Sequence, residues 1–212
     1  MLFCRNSLSY EYSHLRIIKN MNQENNLADH AKQVLKQADL IYSSEQISQA
    51  IDGLAEQINL QFQNVSQPLI AMPVMNGGLV LSGHLLTRLN FPVLVDYLHA
   101  TRYRNKTSGS ELKWKVKPQL SLEGKTLLII DDILDEGYTL QAVRDFCLQQ
   151  GAEQVLSVLL VEKKHPRPKA DIKGDFIGLE VEDRYVFGFG MDYKGHHRGL
   201  NAIYAVSEDH NE

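Results

Sequence analysis

The fold is decided by residues 127–140, which read LLIIDDILDEGYTL. The first four, all aliphatic, predict a β-strand that is buried on both faces. Asp131 and Asp132 follow where such a strand would leave the core, and residues 135–139 form a short loop with a glycine and a hydroxyl group. Apolar residues then recur at helical spacing as far as Gly151. This order predicts a ligand site, because ligands of open α/β sheets bind at the carboxyl ends of strands, near helix N-termini.

The bulk composition limits the classes of protein to which the chain can belong. It has 212 residues and a formal net charge of −4, which suits one globular domain and argues against general binding of nucleic acids or membrane surfaces. Its apolar runs all stay well short of the roughly 20 residues that span a bilayer. Cys147 falls on the apolar side of a predicted helix, so we expect a buried free thiol and a cytoplasmic protein.

The two ends of the chain are expected to differ from its centre. We expect residues 1–26 to be a disordered or non-native extension, with Met21 as a candidate natural start, because regular patterning begins only after them. Residues 27–212 are predicted to form a single domain. Within it we expect a core over residues 27–169 and a small C-terminal hood over residues 170–212, where short segments are separated by glycines.

Hydrophobic periodicity predicts an α/β fold with a mostly parallel central sheet flanked by helices. Residues 27–40 have the spacing of an amphipathic helix, and Ser43 with Gln46 resembles a capping box that begins the next one. A polar loop, residues 102–111, precedes an alternating stretch from Leu112 to Val116, which predicts an antiparallel, flexible flap. Further strands are expected at residues 69–72, 93–98, 127–130 and 155–161.

The acidic tip and the loop after it have the chemistry of a site for a phosphorylated sugar. Asp131 and Asp132 can accept hydrogen bonds from neighbouring hydroxyl groups, such as those of a ribose. The loop of residues 135–139 can turn its amide groups inward around a phosphate, next to the positive end of a helix. Together these features indicate a ribose 5-phosphate, although an acidic turn that only stabilises its own helix fits the same residues.

The same stretch, residues 127–140, resembles the phosphoribosyl pyrophosphate (PRPP) motif of the type I phosphoribosyltransferases. That motif is a hydrophobic strand, two acidic residues, two aliphatic residues, and a loop with aspartate, glycine and threonine. Lys163–Arg167 and Tyr185–Tyr193 are similar to the base-binding hood of the hypoxanthine-guanine branch. Met75–Gly78 lies where that branch has its pyrophosphate loop. The motifs follow the family's order along the chain.

The resemblance implies a purine-salvage enzyme with the family's α/β fold. It would transfer the 5-phosphoribosyl group of PRPP to N9 of hypoxanthine or guanine, giving IMP or GMP and pyrophosphate. Asp131 and Asp132 would hold the ribose hydroxyls, directly or through Mg²⁺. Asp135 would exchange a proton with purine N7 as general acid or base. The 5-phosphate would lie on the loop formed by Asp135, Glu136, Gly137, Tyr138 and Thr139.

The resemblance also implies where the base and the leaving group would bind. Lys163 would donate to O6 of a 6-oxopurine, Tyr185 would stack on the base, and the Val186 carbonyl would accept from it. Asp192 would lie at the same site and would contact Mg²⁺ near the pyrophosphate. Each of these roles has a structural alternative. Lys163 fits a solvated lysine, Tyr185 fits a core aromatic residue, and Arg167 fits a surface charge. The pyrophosphate would be held by Asn76, Gly77, Gly78, Arg167 and Arg198.

Two positions depart from the family's usual pattern. Many relatives have a lysine where this chain has Asn76, so pyrophosphate binding is expected to rely more on backbone amide groups and on Arg198. The resemblance implies a cis peptide bond between Met75 and Asn76. The flap of relatives often begins with Ser-Tyr and here begins with Arg102-Tyr103, so Tyr103 would shield the reaction centre while Arg102 has no assigned role.

Two other functions are compatible with parts of this pattern. A related transferase that prefers xanthine would keep the same motifs, because the group at purine C2 is read partly by backbone. A regulator that keeps the PRPP site and binds RNA is the candidate from another class. Lys163, the Tyr185–Asp192 segment and the negative net charge argue against it, since RNA binding needs a basic face. We expect a homodimer or homotetramer, with no nucleic-acid or membrane partner.

Overall fold

The computed structural model describes residues 25–64, 67–102 and 112–207. The helices are α1 (residues 25–37), α2 (Ser44–Gln61), α3 (Gly78–Leu86) and α4 (Tyr138–Gln149). The strands are β1 (Asp39–Tyr42), β2 (Leu69–Pro73), β3 (Val93–Val95), β4 (His99–Arg102), β5 (Leu112–Val116), β6 (Thr126–Leu134), β7 (Gln154–Lys163), β8 (Phe176–Val181), β9 (Val186–Phe187) and β10 (Ile203–Ala205). Within these residues, none of the helices combines the length and apolar composition needed to cross a bilayer.

The central sheet has five parallel strands in the order β3-β2-β6-β7-β8, with β6 in the middle. Leu128 and Ile130 of β6 pack with apolar residues of α2 and α3 on one face. Leu127 and Ile129 pack with apolar residues of α4 on the other face. All four residues are fully buried. The prediction of a strand buried on both faces, in a parallel sheet flanked by helices, is confirmed.

The start of α2 is confirmed as a capping box. The Gln46 amide donates to Ser43 Oγ at 3.4 Å, and the Ser43 amide donates to Gln46 Oε1 at 2.9 Å. The preceding helix was predicted too long, because α1 ends at residue 37 and Leu40 belongs to β1. The Leu40 backbone pairs with β10 while its side chain is 57% exposed, so apolar periodicity alone is misleading at this position.

Strand β3 is shorter than predicted and is followed by a buried aspartate. The strand was expected to continue to residue 98, but it ends at Val95. The next residue, Asp96, accepts hydrogen bonds from the backbone amides of Tyr97 at 2.7 Å, Gln119 at 2.7 Å and Leu120 at 2.8 Å. The backbone continues beside β2, since the Asp96 amide donates to the Ala71 carbonyl at 3.1 Å and the Leu98 amide donates to the Pro73 carbonyl at 3.2 Å. The hydrogen bonds that the Asp96 side chain accepts tie the end of β3 to the segment that follows β5.

The hood contains different secondary-structure elements from those predicted. Strands β1, β10 and β9 form an antiparallel sheet of three strands, against which Ala31 and Val34 of α1 are packed through Phe187 and Tyr193. Helix α1 and strand β1 therefore belong to the hood. Strand β8, predicted to belong to the hood, is instead the fifth strand of the central sheet. A boundary near residue 170 would divide that sheet, so it does not match the observed strand pairing.

The expected flap is present as an antiparallel pair. Strand β4 pairs with β5, from His99 opposite Val116 to Arg102 opposite Leu112. Tyr103, the loop up to residue 111 and the side chain of Arg102 lie outside the described part of the structure, as do residues 1–24. The part of the flap prediction that concerns strand pairing is confirmed.

Candidate active site

The two aspartates of the central motif lie inside β6 rather than after it. Strand β2 stops at Pro73, which is opposite Ile130, whereas β6 remains paired with β7 as far as Leu134. Asp131 and Asp132 therefore occupy a step in the sheet edge, where β6 extends beyond its neighbour. The Asp132 amide donates to Asp131 Oδ1 at 3.0 Å, and Asp132 is only 7% exposed.

Burial opposes the ionised state of both carboxyl groups. It raises the pKa of Asp131 well above its ordinary value, and the neighbouring Asp132 carboxylate raises that pKa further. Burial also raises the pKa of Asp132, although less strongly, because the interaction with Asp131 and the positive charge of Arg198 lower it. The Arg198 Nη1 atom is 3.9 Å from Asp132 Oδ2. A cationic ligand group at this step would relieve the repulsion between the two carboxylates.

We expect the substitution Asp131→Asn to stabilise the free protein. A carboxyl group whose pKa is raised by folding binds its proton more tightly in the folded state, so stability falls as pH rises above the ordinary value of about 3.9. Asparagine removes this cost and still offers an oxygen to the Asp132 amide. The melting temperature at pH 8 should rise by about 2–4 °C, the shift that about 1 kcal/mol gives a chain of this size. Calorimetry at pH 4, where the difference should shrink, is the control; a lower melting temperature at pH 8 would contradict the prediction.

Glycines bring two backbone segments against Asp132. A Cβ atom on Gly77 would overlap the Asp132 carboxylate, and one on Gly190, which has φ +107°, would overlap the main-chain oxygen of Gly77. The loop after β2 and the hood thus meet main chain to main chain over Asp132. The peptide bond between Met75 and Asn76 in this loop is cis, as the resemblance implied.

Gly78 has a packing role in this loop. Its amide donates to the Val74 carbonyl at 2.9 Å, and a Cβ atom would overlap the main-chain oxygen of Ile130. Of the three loop residues predicted to hold the pyrophosphate, Asn76 and Gly77 line a cavity of about 360 Å³ and Gly78 does not. Gly78 lets α3 begin directly against β6.

The loop after β6 surrounds a cavity of about 300 Å³, here named the loop cavity, which is lined by residues 131–140. Gly137 is the N-cap of α4 with φ +79°, a backbone conformation that glycine adopts without steric cost. The loop is fixed from outside, since the Ala170 amide donates to the Glu136 carbonyl at 2.8 Å. The N-terminal end of α4 borders the loop cavity, where its dipole favours an anion. This arrangement suits the predicted 5-phosphate site.

A second cavity of about 360 Å³, here named the central cavity, brings most of the predicted site residues together. It shares part of its lining with the loop cavity, including Asp135 and Thr139. The predicted residues that line it are Asn76, Gly77, Asp131, Asp132, Asp135, Thr139, Lys163, Tyr185, Val186, Asp192 and Arg198.

Lys163 and Tyr185, which were predicted to bind the base, both line the central cavity. Lys163 is the last residue of β7, is 9% exposed, and has Nζ 3.5 Å from Asp135 Oδ2. Its burial does not match the alternative of a solvated lysine. Tyr185 is 47% exposed and contacts Tyr193 edge to face, with ring centroids 5.4 Å apart. An aromatic ring held in this way, with part of its surface open, can stack on a planar ligand.

Arg198 also lines the central cavity, where hydrogen bonds fix its guanidinium group. Its Nη1 atom donates to the Gly190 carbonyl at 2.6 Å, and its Nη2 atom donates to the Asp192 carboxylate. Asp192 also accepts from the Gly195 amide at 2.6 Å. The guanidinium group therefore lies between Asp132 and Asp192, next to the loop that contains Asn76.

Arg167 is placed away from the predicted pyrophosphate site. Its guanidinium donates to Asp135 at 2.7 Å, to Glu136 at 3.2 Å and to Asp183 at 2.9 Å. It is not part of the lining of the central cavity. The pairing with Asp183 holds the loop after β6 to the segment before β9.

His165 was missed by the reasoning from sequence. Its side chain is fully buried, and Nε2 lies 2.9 Å from Asp135 Oδ1. The available signal was its place two residues after Lys163, in a segment that leaves a strand at the ligand-binding edge of the sheet. A lone histidine among lysines and prolines does not by itself indicate burial.

Comparison with known proteins agrees with this geometry. The family described as "Phosphoribosyl transferase domain" matches residues 37–194. The hypoxanthine-guanine phosphoribosyltransferase of Bacillus subtilis is 32% identical, over 77% of this chain and 90% of its own length. The hypoxanthine-guanine phosphoribosyltransferase of Aquifex aeolicus is 26% identical, over 82% of this chain and 97% of its own length. A crystal structure of a hypoxanthine phosphoribosyltransferase from Staphylococcus aureus superimposes with a TM-score of 0.76 at 26% identity, covering 82% of this chain and 94% of that one. The chain therefore belongs to the type I phosphoribosyltransferase family and is similar to its hypoxanthine-guanine branch.

Proposed function

We propose that this protein transfers the 5-phosphoribosyl group of PRPP to N9 of hypoxanthine or guanine, giving IMP or GMP and pyrophosphate in purine salvage. The observation that carries this proposal is the central cavity. Its lining brings together the paired aspartates of β6, Asp135 and the buried Lys163, whose Nζ is 3.5 Å from Asp135 Oδ2. The names of the similar proteins support the choice of bases.

The phosphoribosyl group would occupy the loop cavity and the step in the sheet edge. The 5-phosphate would bind against the N-terminal end of α4, within the loop from Asp135 to Thr139. The ribose hydroxyls would then reach Asp131 and Asp132, whose carboxyl groups can accept from hydroxyl donors with both oxygens when they are ionised. Both carboxyl groups have raised pKa values in the free protein, so ligand binding would favour their ionisation.

The base would lie between Lys163 and Tyr185. The Lys163 ammonium can donate to O6 of a 6-oxopurine, whereas the amino group at C6 of adenine offers it a donor instead of an acceptor. The Tyr185 ring would cover one face of the base, and Val186, which also lines the central cavity, would present its carbonyl to the base edge. The pair of Lys163 and Asp135 would therefore face adjacent polar edges of one purine.

Pyrophosphate would leave toward Asn76, Gly77 and Arg198. Arg198 offers a guanidinium suited to phosphate oxygens, and the Asn76 amide adds a neutral donor where relatives often have a lysine. Arg167, engaged with three carboxylates, has no part in this proposal for the leaving group.

Mg²⁺ is the metal ion that fits these residues. In the described residues, no group of three or more histidine, cysteine, aspartate or glutamate side chains is arranged to hold a metal. Mg²⁺ is typically bound by one or two carboxylates together with substrate phosphates and waters, so it suits the adjacent carboxylates of Asp131 and Asp132, with Asp192 nearby. Once bound, it would offset negative charge on these carboxylates and on PRPP.

The reaction needs positioning and one proton transfer. The bond from N9 to the anomeric carbon forms as the bond from that carbon to the pyrophosphate oxygen breaks, through an oxocarbenium-like state. The proton on purine N7 passes to the Asp135 carboxylate, so the product base is neutral. The walls of the central cavity hold the two reactants in line, which lowers the entropic part of the barrier.

The decisive experiment offers hypoxanthine, guanine, xanthine, adenine and orotate with PRPP and Mg²⁺, and follows nucleotide formation. We expect hypoxanthine and guanine to react best. In Lys163→Met, kcat/KM for hypoxanthine should fall about 10- to 100-fold, since a hydrogen bond to a charged group contributes about 1.5–3 kcal/mol. Lys164→Met is the matched control, because Lys164 is exposed and pairs with Glu162 and Glu180. Adenine or orotate as the best substrate would overturn the proposal.

The alternative functions have less support. The names of the similar proteins mention hypoxanthine or guanine rather than xanthine, and xanthine in the base panel tests that preference directly. Binding of leader RNA in a gel-shift assay, without turnover of any base, would favour the regulator instead. As part of the same proposal, the protein works in the cytoplasm as a homodimer or homotetramer; the free, buried thiol of Cys147 suits that reducing compartment.

A further inference from the structure

The end of β7 and the segment after it place three nitrogen-bearing side chains around Asp135. Lys163 Nζ is 3.5 Å from Oδ2, His165 Nε2 is 2.9 Å from Oδ1, and Arg167 Nη2 is 2.7 Å from Oδ1. The two oxygens of Asp135 thus have different surroundings. Oδ1 is contacted by His165 and Arg167, while Oδ2 faces the lysine that lines the central cavity.

His165 is the least expected of the three. Its side chain is 0% exposed, and neither ring nitrogen makes a hydrogen bond of correct geometry to any described residue. Leaving a buried polar group unpaired destabilises the folded protein. The distance from Nε2 to Asp135 Oδ1 is that of a hydrogen bond, so only the angle is unsuitable.

Arg167 does not replace His165 in this contact. Its guanidinium is 36% exposed and is shared among Asp135, Glu136 and Asp183, so it links the loop after β6 to neighbouring segments. The imidazole is enclosed and approaches Oδ1 from the protein interior. An enclosed donor loses little strength to water, so a single bond from it can fix the orientation of the carboxylate.

We propose that His165 is a positioning residue for Asp135. It donates from Nε2 to Oδ1 when the purine is bound, and it thereby keeps Oδ2 directed at purine N7 beside Lys163. Either the Nε2–H tautomer or the imidazolium supplies the donor. Because the ring is fully buried, it acts through Asp135 and does not touch the substrate. This inference rests on the proposed role of Asp135 as the group that exchanges the N7 proton.

Two substitutions separate positioning from packing. His165→Gln places an amide nitrogen near the position of Nε2 and keeps a donor, whereas His165→Leu fills similar space without one. We expect kcat of His165→Leu to fall about tenfold, a smaller loss than the roughly 10² to 10⁴ of a missing acid or base. KM for PRPP and for hypoxanthine should stay within about twofold of wild type, because no substrate contact is lost. His165→Gln should recover most of kcat.

The melting temperature and the NMR signal of His165 complete the test. The melting temperature of His165→Leu should not fall, since an apolar group replaces unpaired buried nitrogens. A normal kcat in His165→Leu, or equal losses in the Leu and Gln variants, would overturn the positioning role. In protein labelled with ¹⁵N-histidine, the Nε2 resonance of His165 should move in Asp135→Asn, and its failure to move would also overturn the inference. This resonance requires no turnover, so an inactive wild type with a responsive His165 would count against the proposed function alone.

Discussion

The substitution Asp135→Asn is expected to lower kcat by about 10² to 10⁴, the usual contribution of a positioned acid or base. Asparagine has nearly the same shape and can still accept from Arg167, so the loop after β6 should keep its conformation. It cannot take the proton from purine N7. KM for hypoxanthine should change little, because Lys163 and Tyr185, the residues proposed to hold the base, are unchanged. Steady-state kinetics with saturating PRPP would measure both parameters.

Asp183→Asn is the matched control for this experiment. Asp183 pairs with the same guanidinium of Arg167 but does not line the central cavity. The Arg167 side chain holds the pKa of Asp183 below its ordinary value, which shows that the pairing favours the ionised carboxylate. If loss of any partner of Arg167 slowed the enzyme, both variants would be slow. Near wild-type turnover of Asp135→Asn would mean that Asp135 is only a loop cap.

The substitution Gly78→Ala is expected to have the largest effect on stability. The new Cβ would overlap the main-chain oxygen of Ile130 and lie 3.0 Å from the carbonyl carbon. Both atoms belong to the central strand, so no flexible side chain can move aside. The free energy of unfolding should fall by about 3 kcal/mol or more, at the upper end of overpacking effects. Urea denaturation, followed by circular dichroism, would measure the change.

Gly83→Ala in the same helix provides the control for Gly78→Ala. Gly83 is exposed, and no described atom lies within 4 Å of the position of its Cβ. Alanine should therefore stabilise α3 by about 0.5–1 kcal/mol through its higher helix propensity. If alanine lowers the free energy of unfolding at Gly78 and raises it at Gly83, the loss at Gly78 comes from the contact with Ile130 and not from helix propensity. Equal stability of Gly78→Ala and wild type would contradict the proposed packing of α3 on β6.

The features that sequence predicted correctly are those written within a few consecutive residues. The aliphatic run before Asp131, the loop up to Thr139 and the capping box at Ser43 each depend on local spacing. The order of the strands along the chain then places Lys163 at the same edge of a parallel sheet as Asp135, because the carboxyl ends of parallel strands meet there. Most of the central cavity follows from these two kinds of information.

The features that sequence missed depend on contacts between distant segments. Strand β1 pairs with β10, so Asp39 lies opposite Ala205, and nothing in the pattern near residue 39 indicates that partner. Asp96 accepts hydrogen bonds from amides more than twenty residues later in the chain, which its own neighbourhood in the sequence does not indicate. The three carboxylates around Arg167 and the burial of His165 are likewise set by folding, whereas a charged residue in a polar segment reads as exposed.

The division of the site between strands has a consequence for how such a protein can diverge. The residues proposed to face the phosphoribosyl group come from β6 and the loop after it, whereas those proposed to face the base come from the end of β7 and from the segment around Tyr185. Mutations in the second group can change the preferred purine while leaving the aspartate pair and Gly137 untouched. New substrate preferences can therefore be acquired in small heritable steps, each of which retains a working site for the common co-substrate.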